Sequence, residues 1–457
     1  MKTRTLFRCQ SCGYSSSGWL GRCPECEQWN TFVEEHEARP LSANAKARPL
    51  TDFSSSIERL SDIEVKPVAR HSAGIPEFDR VVGGGVVLGS MVLLGGAPGI
   101  GKSTLMLQVA EGLCQAGLSG LYVSGEESLQ QVKDRAHRLN LRAPSLSLVS
   151  ETEMSKIAAA IEKVDPKFCV VDSIQTTYRE DMSSAPGSVG QVRECAAELL
   201  RIAKSKNITI FILGHVTKEG DLAGPRVLEH IVDSVLYFES EREQLFRLLR
   251  SYKNRFGPTH EIGVFKMTGQ GLQGVKSPSE IFLKERTNAP GSVVVASLEG
   301  TRPLMLEVQA LVSRTHFGFP KRMVTGFDQN RALLLTAVLE KRLGLHLETE
   351  DIFINVVGGV KIKEPAVDLG VAMAIASAHR NETLDPDTVW IGEIGLGGEV
   401  RSTGALALRL SEAAQLGFKK AVVPQASLRQ EAEELKSLPL KLHGVRWLAD
   451  ALKGIEL

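Results

Sequence analysis

The sequence predicts an α/β protein: a doubly wound parallel sheet, then a second α/β or α+β domain, with a small metal-held knuckle in front. Three observations carry this. Short continuous apolar runs alternate with helical stretches, as strands buried on both faces require. The chain holds 42 glycines, as many tight βα turns demand. Four of its seven cysteines form two C-x-x-C pairs near the N-terminus. At ~100–200 residues per domain, 457 residues imply two to four domains.

Residues 1–33 contain Cys9, Cys12, Cys23 and Cys26. Each C-x-x-C turn offers two thiolates to one ion, and two turns close a tetrahedral site. Zinc is the expected metal; rubredoxin-like iron or a redox role is the alternative. So short a segment buries little core, so the metal holds it together. Tyr14, Trp19, Arg22 and Trp29 are candidates for stacking on bases or meeting a partner. Paired cysteines and no apolar signal core predict a reducing, cytoplasmic setting. Cys114, Cys169 and Cys195 lie in apolar contexts and read as buried thiols. Residues 34–66 are polar, with Pro and Ser, and read as a linker.

Residues 67–285 form the first large domain. Strand-like runs are MVLLGG at 91–96, LYVSGEE at 121–127, FCVVDS at 168–173 and ITIFILGHV at 208–216, with helical stretches at 102–116 and 190–206. After the first run come Gly96, Ala97, Pro98, Gly99, Ile100, Gly101, Lys102 and Ser103, then Thr104. This is G-x4-G-K-[ST] between a strand and a helix, the phosphate-loop context. Its backbone N–H groups would cradle ATP phosphates, Lys102 would reach the β- and γ-phosphates, and Ser103 would ligate Mg²⁺. Asp172 ends an apolar strand, suiting a carboxylate of the Mg²⁺ site, although a strand-end Asp also caps helices. Glu126, or the adjacent Glu127, is positioned to polarise the attacking water. His215 ends ITIFILG, where it would sense the γ-phosphate or simply edge a loop.

The loop 176–190 carries Tyr178 and Arg179, and 217–226 carries Lys218 and Arg226. Cations and an aromatic on such loops suit DNA phosphate contact and stacking, and also ordinary solvated loops. Lys253 and Arg255 alternate in the strand-like run QLFRLLRSYKNRFG. They read as surface charges of an edge strand, or as cations donated across a subunit boundary to transition-state charge.

Residues 286–457 form the second large domain, with strands SVVVASL, DIFINVVGG and AVVP among helices at 331–343, 366–380 and 405–416. Within 314–342, six cations, Arg314, Lys321 and Arg322 among them, oppose two acids: a DNA-binding patch or a solvated face. Overall, 54 Lys and Arg balance 54 Asp and Glu. That excludes a chain basic throughout but not local basic faces, since 244–286 has eight cations against three acids. No apolar run reaches the ~20 residues of a membrane span.

Together, CQSCGYSSSGWLGRCPECEQWNTF, GIPEFDRVVGGGVVLGS, GGAPGIGKSTL, YVSGEES, VVDSIQT, GHVTKEG and Lys253-Asn254-Arg255-Phe256-Gly257 resemble the bacterial RadA (Sms) DNA-repair family, over essentially the whole chain. The resemblance implies a RecA-like P-loop ATPase core forming hexameric rings on single-stranded and branched DNA, and aiding branch migration beside a RecA-type recombinase. It matches Glu126 to the catalytic glutamate, His215 to the switch position, and the loops after Asp172 and His215 to DNA-facing loops. The C-terminal runs VGGVKIKEPAVDLGVAMAIASA and IGEIGLGGEVRSTGALALRLSEAAQLGFKKAVVP look like the proteolytic domain of the Lon family, a serine–lysine dyad enzyme. Asp368 stands at the serine position and Ala407 at the lysine position, so the domain is expected to be proteolytically inactive. Non-motor alternatives are an ATP-gated scaffold that loads a recombinase and, disfavoured by the missing dyad, an ATP-dependent protease.

Overall fold

The computed structural model describes residues 4–9, 12, 14–37, 59, 61, 69–215, 226–239, 246–259, 261–315 and 318–453. The chain divides into two compact units, Met1–Val275 and Lys276–Leu457.

The first unit opens with a three-stranded antiparallel sheet of β1 (Arg4–Cys9), β2 (Ser15–Ser16) and β3 (Phe32–Glu37). Its small core is Cys9, Cys23 and Phe32. A short hairpin of β4 (Arg70–His71) and β5 (Val86–Val87) flanks α1 (Pro76–Val81). Then β6 (Met91–Gly96), α2 (Lys102–Gln115), β7 (Gly120–Ser124), α3 (Leu129–Arg138), β8 (Leu146–Ser150), α4 (Met154–Val164), β9 (Phe168–Asp172), α5 (Val189–Lys206), β10 (Thr209–His215), α6 (Arg226–Ile231) and β11 (Ser234–Glu239) alternate. The strands pair in parallel in the order β8-β7-β9-β10-β6-β11.

The apolar runs are explained by burial on both faces. Val92 and Leu94 of β6 enter one core with Phe78, Leu105, Tyr122 and Phe211, while Met91 and Leu93 enter the other with Ile157, Val171, Leu199 and Ile212. Alternating side chains point to opposite faces, so a strand covered on both sides is apolar throughout. Helix ends follow local chemistry. Ser188 caps α5 by accepting from the Gln191 N–H, Ser128 and Gln131 form a reciprocal capping box on α3, and Glu153 caps α4.

Beyond β11 the sheet turns antiparallel through β12 (Phe246–Asn254), β13 (Ile262–Thr268) and β14 (Gly271–Gly274), giving nine strands. This flank adds to the parallel sheet that the sequence predicts.

The second unit begins with α7 (Pro278–Leu283), β15 (Ser292–Glu299), β16 (Arg302–Arg314), β17 (Arg322–Thr325), α8 (Gln329–Leu343) and β18 (Glu350–Val356). It continues with α9 (Asp368–Arg380), β19 (Thr388–Trp390), the ribbon β20 (Glu393–Ile394) and β21 (Val400–Arg401), α10 (Leu406–Gln415) and β22 (Lys420–Pro424). It ends with α11 (Gln425–Gln430), α12 (Ala432–Leu435), β23 (Lys441–Val445) and α13 (Leu448–Lys453). Its main sheet runs β17-β18-β16-β15-β19-β22-β23 and mixes parallel and antiparallel pairs. Helices α9 and α10 pack against β15 and β16. Among the described residues, no helix is long and apolar enough to cross a membrane.

Candidate active site

The turn from β6 into α2 is the Gly96–Ser103 loop. Gly99 and Gly101 have φ of +73° and +113°, a region side chains rarely enter, and a Cβ on Gly96 would lie 2.7 Å from the Phe238 carbonyl oxygen. The glycine spacing is therefore a backbone requirement. Lys102 is 5% exposed, and its ammonium donates to the carbonyl oxygens of Gly96 at 2.8 Å and Ala97 at 3.1 Å. Burial pushes the Lys102 pKa down to about 8, while Asp172 and Glu126 pull it upward. A desolvated cation folded back on loop carbonyls is held where an anion would claim it.

The carboxylates converge because β7, β9, β10 and β6 end on the same side of the sheet, where open α/β sheets bind ligands. Asp172 ends β9 and accepts from the Tyr122 hydroxyl at 2.6 Å, and the Asp172–Ser173 peptide is cis. Burial and the Asp172 charge hold the Tyr122 phenol well above its usual range. Gly125 donates its N–H to the Asp172 carbonyl at 2.7 Å, and a Cβ there would collide with Thr176. That contact brings Glu126 alongside β9, where it accepts from the Ser173 hydroxyl at 2.5 Å. Glu127 points elsewhere, into an ion pair with Arg135 of α3. His215 ends β10 with its backbone level with Gly96.

The pentapeptide lies at the other end of this sheet. Through β11, Lys253 is level with Leu93 rather than Gly96, so it stands ~10 Å along the strand direction from the phosphate loop of its own chain. Its ammonium donates to the carbonyls of Glu229 at 2.6 Å and Val232 at 2.8 Å, at the C-terminal end of α6. Burial and the Arg255 charge hold the Lys253 pKa below the usual lysine range. Arg255 is 3.5 Å from buried Asp233, which Lys204 also binds at 2.6 Å. Asn254 Oδ1 accepts from the Ser234 hydroxyl and the Phe256 N–H, and Gly257 packs so close to Gly83 that a Cβ would sit 2.7 Å from its Cα.

Sequence reasoning missed Arg247, counted only among the local cations. Its guanidinium leaves β12 and donates to the Ile100 carbonyl at 2.6 Å. No motif marks it, because the contact joins residues 147 positions apart.

The loop candidates meet varied fates. Arg179 is held by Asp181 at 2.7 Å and Glu198 at 2.8 Å, which raise its pKa, and Tyr178 hydrogen-bonds through its backbone to Thr152 and Met154. Lys218 lies outside the described residues, and Arg226 starts α6. In the second unit Arg314 ends β16, exposed Lys321 precedes β17, and Arg322 donates to the carbonyls of Lys321 and Leu347.

Cys9, Cys12, Cys23 and Cys26 place their four sulfurs within 4.8 Å of one another, with 3.6 Å from Cys9 to Cys26 and 3.5 Å from Cys12 to Cys23. Zn–S bonds of about 2.3 Å in a tetrahedron put sulfurs about 3.8 Å apart, so the cage fits zinc. Trp19 and Trp29 are more than half exposed on this knuckle, their rings within 4 Å of the Gly21 Cβ position. Cys114, Cys169 and Cys195 are buried thiols.

Asp368 is fully buried at the start of α9, accepting from Arg331 Nε at 3.0 Å and from the Ile394 N–H at 3.1 Å. Burial raises its pKa while Arg331 lowers it. Ala407 offers only its backbone N–H, to Glu431 at 2.9 Å. Neither position carries the hydroxyl or the amine of a serine–lysine dyad.

Family models match three stretches: an AAA domain over 56–221, a rubredoxin metal binding domain over 7–34, and subunit ChlI of Mg-chelatase over 314–427. The DNA repair protein RadA of Bacillus subtilis is 52% identical over 459 residues, covering 99% of this chain and 98% of that protein. RadA of Listeria monocytogenes is 50% identical with the same coverage, and RadA of Halalkalibacterium halodurans 51% with 93% and 94%. At about half identity to such relatives over nearly its whole length, the chain belongs to the bacterial RadA family of DNA repair proteins.

Proposed function

We propose that the chain is a DNA-dependent ATPase of recombinational repair, working as a ring-shaped, hexameric motor that moves branched intermediates along single-stranded DNA. The observation that carries the ATPase is the meeting of Lys102, Glu126 and Asp172 beyond the strand ends. The loop Gly96–Thr104 binds the triphosphate, and Lys102 exchanges its loop carbonyls for phosphate oxygens. Ser103 and Asp172 are the residues to hold Mg²⁺: Asp172 has Oδ2 taken by Tyr122, while Oδ1 has no hydrogen-bond partner among the described residues. The metal, when bound, neutralises charge on the transferring phosphoryl group. Glu126 orients the attacking water and takes its proton; its hydrogen bond to Ser173 and the engagement of Glu127 by Arg135 support that choice. His215, level with the loop's first glycine, reads the γ-phosphate.

Lys253 and Arg255 serve the next subunit's nucleotide. Their distance from their own phosphate loop supports action across a boundary, as an arginine finger acts. Tyr178, Arg179, Lys218 and Arg226 face single-stranded DNA in the channel, and Arg314, Lys321 and Arg322 face duplex arms. Binding by Arg179 requires DNA phosphate to displace Asp181 or Glu198. Zinc holds the knuckle, and a RecA-type recombinase is the protein partner.

Strand displacement on a forked substrate tests the motor, with Lys102→Ala beside the wild type. ATP-dependent displacement lost in the variant is the expected result. Equal displacement by both removes the motor, and ATP-gated DNA binding without displacement favours a recombinase-loading scaffold.

A further inference from the structure

The antiparallel flank β12–β14 touches the phosphate loop and its helix at two separate places. Arg247 of β12 donates from Nη1 to the carbonyl oxygen of Ile100 at 2.6 Å. Gln108, one turn and a half into α2, exchanges two hydrogen bonds with the backbone of Leu272 in β14, both 3.0 Å. The flank therefore braces both the loop and the helix that follows it.

The Ile100 carbonyl and the Gly101 N–H belong to one trans peptide unit, in which C=O and N–H point in opposite directions. Holding the carbonyl outward on β12 turns the N–H inward, to the concave side where a phosphate-binding loop gathers its donors. Gly101 has φ +113°, and a Cβ there would lie 3.0 Å from Met267 Cε and 3.1 Å from Arg247 Nη1. The loop is thus pressed against the flank at the residue whose orientation matters. Among the described residues the guanidinium has no carboxylate partner, and burial alone disfavours its charge. A half-buried guanidinium with no carboxylate beside it thus lies against the loop that would hold the anion.

We propose that Arg247 is a positioning residue of the ATPase site: it fixes the Ile100–Gly101 peptide so that the Gly101 N–H faces the phosphates, and its charge is balanced by the bound nucleotide. This rests on the phosphate-loop reading of Gly96–Ser103. It also gives β12 two duties, since the same strand carries Lys253 and ends before Arg255. The strand joins the chain's own phosphate loop to the cations offered to its neighbour.

The test uses the full-length chain with Arg247→Met, which keeps an apolar stem, Arg247→Lys, which keeps a cationic donor, and Lys102→Ala. Steady-state ATP hydrolysis gives kcat and KM, a fluorescent ATP analogue gives affinity, and thermal melting without nucleotide reports folding. Arg247→Met is expected to weaken nucleotide affinity and raise KM about tenfold or more, with kcat within about threefold and an unchanged melting temperature. Arg247→Lys is expected to recover most of that loss. Wild-type KM and affinity in Arg247→Met would overturn the proposal. So would equal losses in both variants accompanied by a lowered melting temperature, which would mark a merely structural arginine. Undiminished hydrolysis by Lys102→Ala would instead remove the ATPase reading of the loop, a failure distinguishable from that of Arg247.

Discussion

Asp368 shows how a carboxylate is held in a wholly buried place. It occupies the serine position of the Lon-like pattern, fully buried and gripped by Arg331 and the Ile394 N–H. Removing its carboxylate takes the acceptor from the Ile394 N–H and leaves Arg331 with only the Glu393 carboxylate at 3.6 Å, at roughly 2–4 kcal/mol. Asp368→Ser is therefore expected to destabilise the C-terminal unit by roughly 2–4 kcal/mol in denaturant melts, and to produce no peptide hydrolysis, since Ala407 remains. The paired glutamates give a second expectation at this scale. Glu126→Gln should lower ATP turnover about a hundredfold or more, as loss of a general base does. Glu127→Gln should cost only its ion pair with Arg135 and leave turnover within about threefold. From sequence these glutamates are neighbours with equal claims. The Gly125–Asp172 and Ser173–Glu126 hydrogen bonds, made across two strands, are what separate them.

At the scale of elements, α6 illustrates a helix end satisfied from far along the chain. It has six residues, too few to be stable alone, and its last carbonyls accept from the Lys253 ammonium. Lys253→Met should expose those carbonyls without a donor and weaken the helix by about 1 kcal/mol. Faster amide exchange at Val232, whose N–H bonds to Leu228, with slow exchange kept at Leu213 in β10, is the measurement. A loss of ATP turnover accompanied by no change in exchange would assign Lys253 to catalysis alone. The central strands were legible because burial on both faces makes them continuously apolar, and the glycine spacing of the loop was legible because positive φ demands it. The antiparallel flank was not. Its strands pair as a local meander, Arg250 with Ile262 and Thr268 with Gly271, but residue type in such short runs does not fix antiparallel over parallel pairing.

Across the whole molecule, two compact units and a metal-held knuckle predict separable stability. With the phosphate loop in the first unit, saturation with ATP at 100 times Kd should add about 2.7 kcal/mol to that unit. Calorimetry should show an earlier or later transition that ATP moves and another that it does not; one transition shifting as a whole would show that the units unfold together. Stripping the metal with a chelator should change the fluorescence of exposed Trp19 and Trp29, because a core of Cys9, Cys23 and Phe32 cannot hold β1–β3 together by itself. Zinc added back should restore it.

The sequence by itself determined the features written in local patterns: the four-cysteine cage, the phosphate loop between strand and helix, the alternation of buried strands with helices, and the absence of a serine and a lysine from the Lon-like positions. Each depends on residue type at short spacing, where geometry follows directly from the backbone. Only the tertiary structure decided which glutamate sits beside Asp172, that Arg179 is already paired with two carboxylates, that Lys253 closes α6, and that Arg247 reaches the phosphate loop. Apart from the Arg179–Asp181 pair, these depend on contacts between residues 19 to 147 positions apart. Such contacts exist only once burial of the sheet has brought the strands into register.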